Sequence, residues 1–95
     1  MDSQEIKNRL IEKLLRGGYI GTKNVTIDQL ISKKAGLPVH EEGRARDLLE
    51  NEMIPSSEGS IARYGGQRDA IHLTDVQEAV EYLKDNGGNV PFGFD

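Results

Sequence analysis

A break at Ala35-Gly36-Leu37-Pro38 separates two helical patterns and constrains the fold of this chain more than any other feature. Gly36 can adopt the left-handed conformation that ends a helix, and Pro38 disfavours helical backbone at the residue before it. We therefore predict one helix from Thr26 to about Ala35 and another from about Val39 to Asn51, joined by a tight turn. The apolar residues that recur at helical spacing are Ile27, Leu30, Ile31 and Ala35 before the break, and Ala45, Leu48, Leu49 and Met53 after it.

Two further helices are predicted nearer the ends of the chain. The first covers residues 3–16, with Ser3 as its N-cap and Gly17-Gly18 as its stop. Threonine followed three residues later by glutamine, at Thr26 and again at Thr74, is typical of a capping box that opens a helix. The box at Thr74 opens the last helix, which Asn86-Gly87-Gly88 ends. The apolar stripes comprise Ile6, Leu10, Ile11, Leu14 and Leu15 in the first helix, and Val76, Ala79, Val80 and Leu83 in the last.

Between the third and fourth helices the sequence favours a β-hairpin. Its strands are predicted at Ser60–Tyr64 and Ala70–Leu73, joined by a glycine-rich loop that begins at Gly65. In the second strand two apolar residues flank His72, which is the period-two pattern of a half-buried strand. The order is then helix, helix, helix, hairpin, helix. We predict a mainly helical α+β domain over residues 1–88, followed by a flexible tail at 89–95.

Composition argues against several kinds of site. The 95 residues suit one domain, and the absence of cysteine excludes disulfides, thiolate metal sites and catalytic thiols. His40 and His72 are far apart, and neither has a second histidine at ligand spacing, so we expect no metal. No catalytic motif is present, so we expect neither an enzyme nor a cofactor. No apolar run approaches the ~18 residues that span a bilayer, and the polar start is unlike a secretory signal, so we expect a cytoplasmic protein without membrane contact.

Three segments carry a resemblance to a known superfamily: VTIDQLISKKAGLP, ARDLLENEMI and AIHLTDVQEAVEYL. In this order they resemble the winged helix-turn-helix fold of prokaryotic and archaeal transcription regulators, over about residues 3–85. The resemblance implies a three-helix core, a β-hairpin wing and a C-terminal helix. In such regulators the second helix of the motif enters the major groove and the wing contacts the backbone or minor groove. It therefore implies double-stranded DNA as the partner of a small transcriptional regulator or accessory factor.

The resemblance also implies which residues would contact DNA. Lys33 and Lys34, at the end of the second helix, would flank the backbone. The groove-facing candidates are His40, Gly43, Arg44, Arg46 and Asp47, and the wing candidates are Arg63, Tyr64, Gln67 and Arg68.

The charge of the third helix leaves an alternative open. Residues 39–53 carry five carboxylates and two arginines, although phosphate neutralisation supplies much of the affinity of DNA-binding proteins. Arg44 and Arg46 also lie at spacings that form surface ion pairs with neighbouring glutamates. The alternative is a winged-helix protein-interaction module with an acidic surface and no DNA binding. Its partner would be a basic protein or, in a homodimer, a second copy of the chain.

Overall fold

Helices and a small antiparallel sheet make up the α+β fold of this chain, in a computed structural model that describes residues 1–66 and 69–94, except for the side chain of Lys34. The helix α1 covers Ser3–Arg16 and α4 covers Val76–Asp85. The helix α2 comprises Ile27–Gln29 and a π-helical turn, Leu30–Lys34. The helix α3 comprises a 3₁₀ turn, Val39–Glu41, an α-helical part, Glu42–Leu48, and a π-helical turn, Leu49–Met53. The strands are β1, Val25–Thr26, β2, Ile61–Arg63, and β3, Ala70–Leu73.

The start of α1 corrects one prediction. The N-cap is Asp2 rather than Ser3, because the Asp2 carboxylate accepts from the Glu5 amide at 2.8 Å and the Glu5 carboxylate accepts from the Asp2 amide in return. At the other end the predicted glycine stop is confirmed. Gly18 has φ +70°, and the Tyr19 amide donates to the Leu14 carbonyl, which is the pattern of a Schellman motif.

The turn between α2 and α3 follows the predicted geometry. Gly36 has φ +66°, and Pro38 has extended backbone that precedes the first turn of α3. The Glu41 amide donates to the Pro38 carbonyl at 2.9 Å and closes that turn. At its far end α3 extends to Met53, two residues beyond the predicted end at Asn51. A helix that continues in this way brings the side chain of Met53 fully into the core.

The sheet has β3 as its central strand, with β1 and β2 antiparallel on either side. The predicted hairpin is confirmed, since Ile61 pairs with Leu73 and Arg63 pairs with Ile71. The first strand is shorter than predicted, because Ser60 lies in a preceding 3₁₀ turn. The strand β1 pairs through Val25 with Ile71, so the extended piece that precedes α2 joins the hairpin to the helices.

The start of α4 corrects a second predicted N-cap. Asp75, not Thr74, is the N-cap, and its carboxylate accepts from the Glu78 amide at 3.1 Å. Thr74 is instead held at the end of β3, because its amide donates to the Ser60 carbonyl at 2.9 Å and its hydroxyl donates to the same oxygen. The Ser60 hydroxyl in turn donates to the Asp75 carbonyl at 2.8 Å. These bonds tie the start of α4 to the start of β2.

The buried apolar side chains of all four helices and of the sheet form one cluster. The five stripe residues of α1 are fully buried at its centre. The segment 89–94 lies against this cluster, with Pro91 buried and Val90 and Phe94 half-buried, while Phe92 is exposed. The described part of the tail therefore packs against the core. Its flexibility stays a prediction.

Candidate nucleic-acid interface

The outer face of α3 comprises His40, Gly43, Arg46, Asp47 and Glu50, opposite the buried side chains of that helix. Its polar members range from half-buried to exposed, and the His40 side chain is 80% exposed. Four of these residues, with Asn51, line a shallow groove. The face therefore presents carboxylates and one arginine together, rather than a row of cations.

Arg44 is bound to the first residues of the chain. Its guanidinium donates to the Met1 carbonyl at 2.6 Å and to the Ser3 hydroxyl at 2.8 Å. It also lies 3.3 Å from the Glu41 carboxylate, whose side chain is only 13% exposed. The bonds to Met1 and Ser3 position the side chain toward the start of α1. Arg44 thus connects α3 to α1 and directs its charge away from the outer face of α3.

Arg46 is paired with a carboxylate on the preceding helix. Its guanidinium donates to the carboxylate of Asp28 on α2, and it lies 3.5 Å from the Glu50 carboxylate on its own helix. The hydrogen bond to Asp28 raises the pKa of Arg46 above its ordinary value, so the side chain is a cation at every accessible pH. Asp28 is itself 76% exposed. Such an exposed pair contributes less than about 1 kcal/mol, which leaves Arg46 able to exchange its partner.

The outer end of the hairpin lies beside the start of α2. Thr26 pairs with Ala70, and the Ile27 amide donates to the Asp69 carbonyl at 2.8 Å. One residue further along α2, Asp28 binds Arg46. A continuous path of contacts therefore joins the loop of the hairpin to the outer face of α3. Two surfaces that are separate in sequence are thus connected through the start of α2.

The wing candidates divide into described and undescribed residues. Arg63 is exposed at the end of β2. The Tyr64 ring is half-buried and contacts the His72 ring edge-on, with 5.2 Å between centroids, so it stiffens the hairpin. Gln67 and Arg68 lie outside the described residues. The hairpin thus brings Arg63 to the same end of the sheet as the start of α2.

Lys33, on α2, is exposed in the π-helical turn that precedes Gly36. It lies at the C-terminal end of the helix, where the dipole favours a cation whether or not a ligand is bound. The side chain of Lys34 lies outside the described part of the structure. Lys33 therefore supplies an exposed positive charge beside the turn that leads into α3.

A second polar cluster, which the sequence patterns did not indicate, joins α1 to α4. The Lys7 ammonium lies 2.9 Å from Glu52 and 3.0 Å from Glu58, and the Tyr82 hydroxyl donates to Glu58 at 2.9 Å. Gln4 donates to the Tyr82 hydroxyl at 3.0 Å. Burial acts to lower the pKa of Lys7, but the two carboxylates outweigh burial and raise that pKa. For the tyrosine hydroxyl, burial acts in the opposite direction and raises the pKa of Tyr82. The raised pKa keeps the Lys7 ammonium charged, as its ion pairs with Glu52 and Glu58 require.

Two other kinds of site have no support in the described residues. No group of three or more histidine or carboxylate side chains is placed there to hold a metal ion. Within the same residues, no helix combines the length and the apolar composition that a membrane crossing requires.

Comparison of the chain with known family models, with curated proteins and with solved structures produced no match.

Proposed function

We propose that this chain is a winged helix-turn-helix domain that binds double-stranded DNA, as a small transcriptional regulator or accessory factor. In this proposal α2, the turn and α3 are the helix-turn-helix, and the β2–β3 hairpin is the wing. The observation that carries it is the path of contacts from the hairpin through the start of α2 to Arg46. In the proposed arrangement the wing and the outer face of α3 would share one side of the molecule, so that a single duplex could meet both.

The first turn of α3 would enter the major groove. Val39 and His40 lie there with most of their side-chain surface in solvent, and Gly43 follows one turn later without a side chain that obstructs approach. Phosphate contacts would come from Lys33 and Lys34 beside the turn and from the wing arginines Arg63 and Arg68. A set of so few cations gives modest affinity that weakens as salt rises.

The two arginines of α3 take different roles in this proposal. Arg44 holds α3 against the start of α1, and its three hydrogen-bond partners leave it directed away from the groove. Arg46 lies at the interface, but its exposed carboxylate partners compete with a DNA phosphate for the guanidinium, so that in the wild-type chain it stays paired with Asp28. We therefore assign Arg44 to the fold and Arg46 to the interface.

The test is a titration of isotope-labelled protein with a mixed-sequence duplex, followed by NMR at low and at higher salt. We expect shifts at Lys33, His40, Arg46 and Arg63 that diminish as salt rises. Lys33→Glu should weaken binding by about eightfold or more at ~0.1 M salt, because one phosphate contact is lost. Lys84→Glu is the matched control, since it makes the same charge change at an exposed position on α4 and should leave affinity within about twofold of wild type.

A second candidate function, protein interaction without DNA binding, is favoured by the internal pairing of both α3 arginines. With Arg44 and Arg46 neutralised, Asp47 and Glu50 leave the outer face of α3 with a negative charge. A lysine-rich peptide is the probe for this candidate. Shifts at Asp47 and Glu50 with the peptide, and none with the duplex at low salt, would favour the second function over the first.

For DNA binding, equal losses of duplex affinity in Lys33→Glu and Lys84→Glu would mean that no specific DNA face exists.

A further inference from the structure

Val39 is an apolar side chain that the fold leaves in water. Its relative exposure is 83%, and the other exposed large apolar side chains among the described residues, Met1 and Phe92, lie outside the helices and strands. The second and third helices otherwise bury their aliphatic residues, as Leu30 and Leu49 show. Packing therefore gives no reason for a valine at this position of α3.

The backbone holds Val39 in a defined place. Leu37 packs against the core, Pro38 restricts the chain on its other side, and the Glu41 amide closes the turn onto the Pro38 carbonyl. Valine also has a restricted χ1 because it is branched at Cβ. A contact made by Val39 would therefore cost little conformational entropy.

We infer that Val39 is a specificity-determining residue that contacts the C5 methyl group of a thymine in the major groove. The inference rests on the proposed function, in which the first turn of α3 meets base edges. The thymine methyl is the apolar group that base edges present in that groove, and aliphatic side chains recognise it by contact. At Gly43, one turn further along, the position that a Cβ would occupy is open, with no atom of another part of the described structure within 4 Å, so a base can approach the same surface.

This contact is compatible with a reading helix that is acidic. Apolar contact with a methyl group needs no positive charge, so Val39 can discriminate between bases although the carboxylates of residues 39–53 still repel the phosphates. Sequence discrimination would come from Val39, and the cations of α2 and the wing would supply attraction to the backbone. The ligand is thus a duplex with thymine at the position that faces the start of α3.

The test uses a duplex that the full chain enriches from a randomised pool. Each thymine of that duplex is replaced singly by uracil, which lacks the C5 methyl group and keeps the same hydrogen-bonding groups. We expect one replacement to weaken wild-type binding about fourfold, which corresponds to ~0.8 kcal/mol for one buried methyl-sized group. Val39→Ala should bind the thymine and uracil duplexes equally, and Phe92→Ala, an exposed apolar control outside α3, should keep the wild-type difference.

The possible outcomes distinguish failure of the role of Val39 from failure of DNA binding. An enriched duplex that binds equally with uracil at every position overturns the role of Val39 and leaves DNA binding intact. A loss of affinity on replacement by uracil that persists undiminished in Val39→Ala also overturns the role of Val39 and leaves DNA binding intact. Failure to enrich any duplex, with no salt-dependent binding to the pool, overturns both. Because Val39 is exposed, a circular dichroism spectrum of Val39→Ala should match that of wild type.

Discussion

Replacement of Asp28 by asparagine should strengthen DNA binding, even though it removes an ion pair from the folded protein. Asp28 lies on α2 and accepts from the Arg46 guanidinium of α3. Asparagine has the same shape but carries no charge, so Glu50, 3.5 Å away, would be the one remaining ion-pair partner of Arg46 among those seen in the structure, and a neutral amide would bind the guanidinium more weakly than the carboxylate did. The released guanidinium can then bind a phosphate of the duplex.

The size of the effect follows from one added phosphate contact. Each contact steepens the slope of log affinity against log salt by about 0.9, which corresponds to roughly eightfold tighter binding at ~0.1 M salt. The cost to the fold is small, because the Arg46–Asp28 pair is exposed and contributes less than about 1 kcal/mol. Loss of a carboxylate from the first turn of α2 adds about 0.3–1 kcal/mol through the helix dipole.

Fluorescence anisotropy with a labelled mixed-sequence duplex, at several salt concentrations between about 50 and 200 mM, would measure this slope. Asp47→Asn is the matched control, because it removes the same charge from the outer face of α3 at a residue that accepts from Asn51 rather than from an arginine. The double variant Asp28→Asn/Arg46→Ala should return the slope to the wild-type value.

Two results would refute the reasoning. An unchanged slope in Asp28→Asn would mean that Arg46 does not reach a phosphate even when it is released. Equal gains in Asp28→Asn and Asp47→Asn would mean that lower negative charge, and not a freed arginine, strengthens binding.

Two predictions concern the fold. Gly59→Ala should destabilise the protein by about 2–5 kcal/mol in urea unfolding, since φ is +61° and the new Cβ would lie 2.8 Å from the fully buried Ile11 side chain. Gly21→Ala, at φ +64° in open space, should cost only about 1–2 kcal/mol, and equal losses would contradict the packing argument. The pKa values of Lys7 and Tyr82 are raised in the folded state, so their contribution is complete below about pH 10 and is lost as pH rises through the raised values. Tyr82→Phe should therefore lose stability less steeply than wild type between about pH 9 and 11, and parallel curves would contradict this.

Helix positions and their apolar faces followed from local patterns. The glycines that end the helices illustrate this, because Gly18, Gly36 and Gly87 all have positive φ at the predicted stops. A helical period or a left-handed stop depends on residues within about one turn of each other, so both are visible in the sequence. The order of helices and hairpin was predictable for the same reason.

The N-caps show where local patterns became insufficient. Asp2 and Ser3 are both good caps, and so are Thr74 and Asp75, so the local signal allowed either member of each pair. Tertiary contacts decided between them, since the Ser3 hydroxyl accepts from Arg44 and Thr74 is bonded to Ser60. The cap in each case is the side chain that remained available.

The candidate interface likewise has features that local sequence predicts and features that only tertiary contacts decide. The sequence by itself determined that α3 has an outer face of mixed charge, because the helical period assigns each residue a side. Only the tertiary structure decided which arginine can reach a ligand: Arg44 binds Met1 and Ser3, 43 and 41 residues away, and Arg46 binds Asp28, 18 residues away. Periodicity and turn chemistry are properties of neighbouring residues, whereas ion pairs form between side chains that packing brings together from distant parts of the chain.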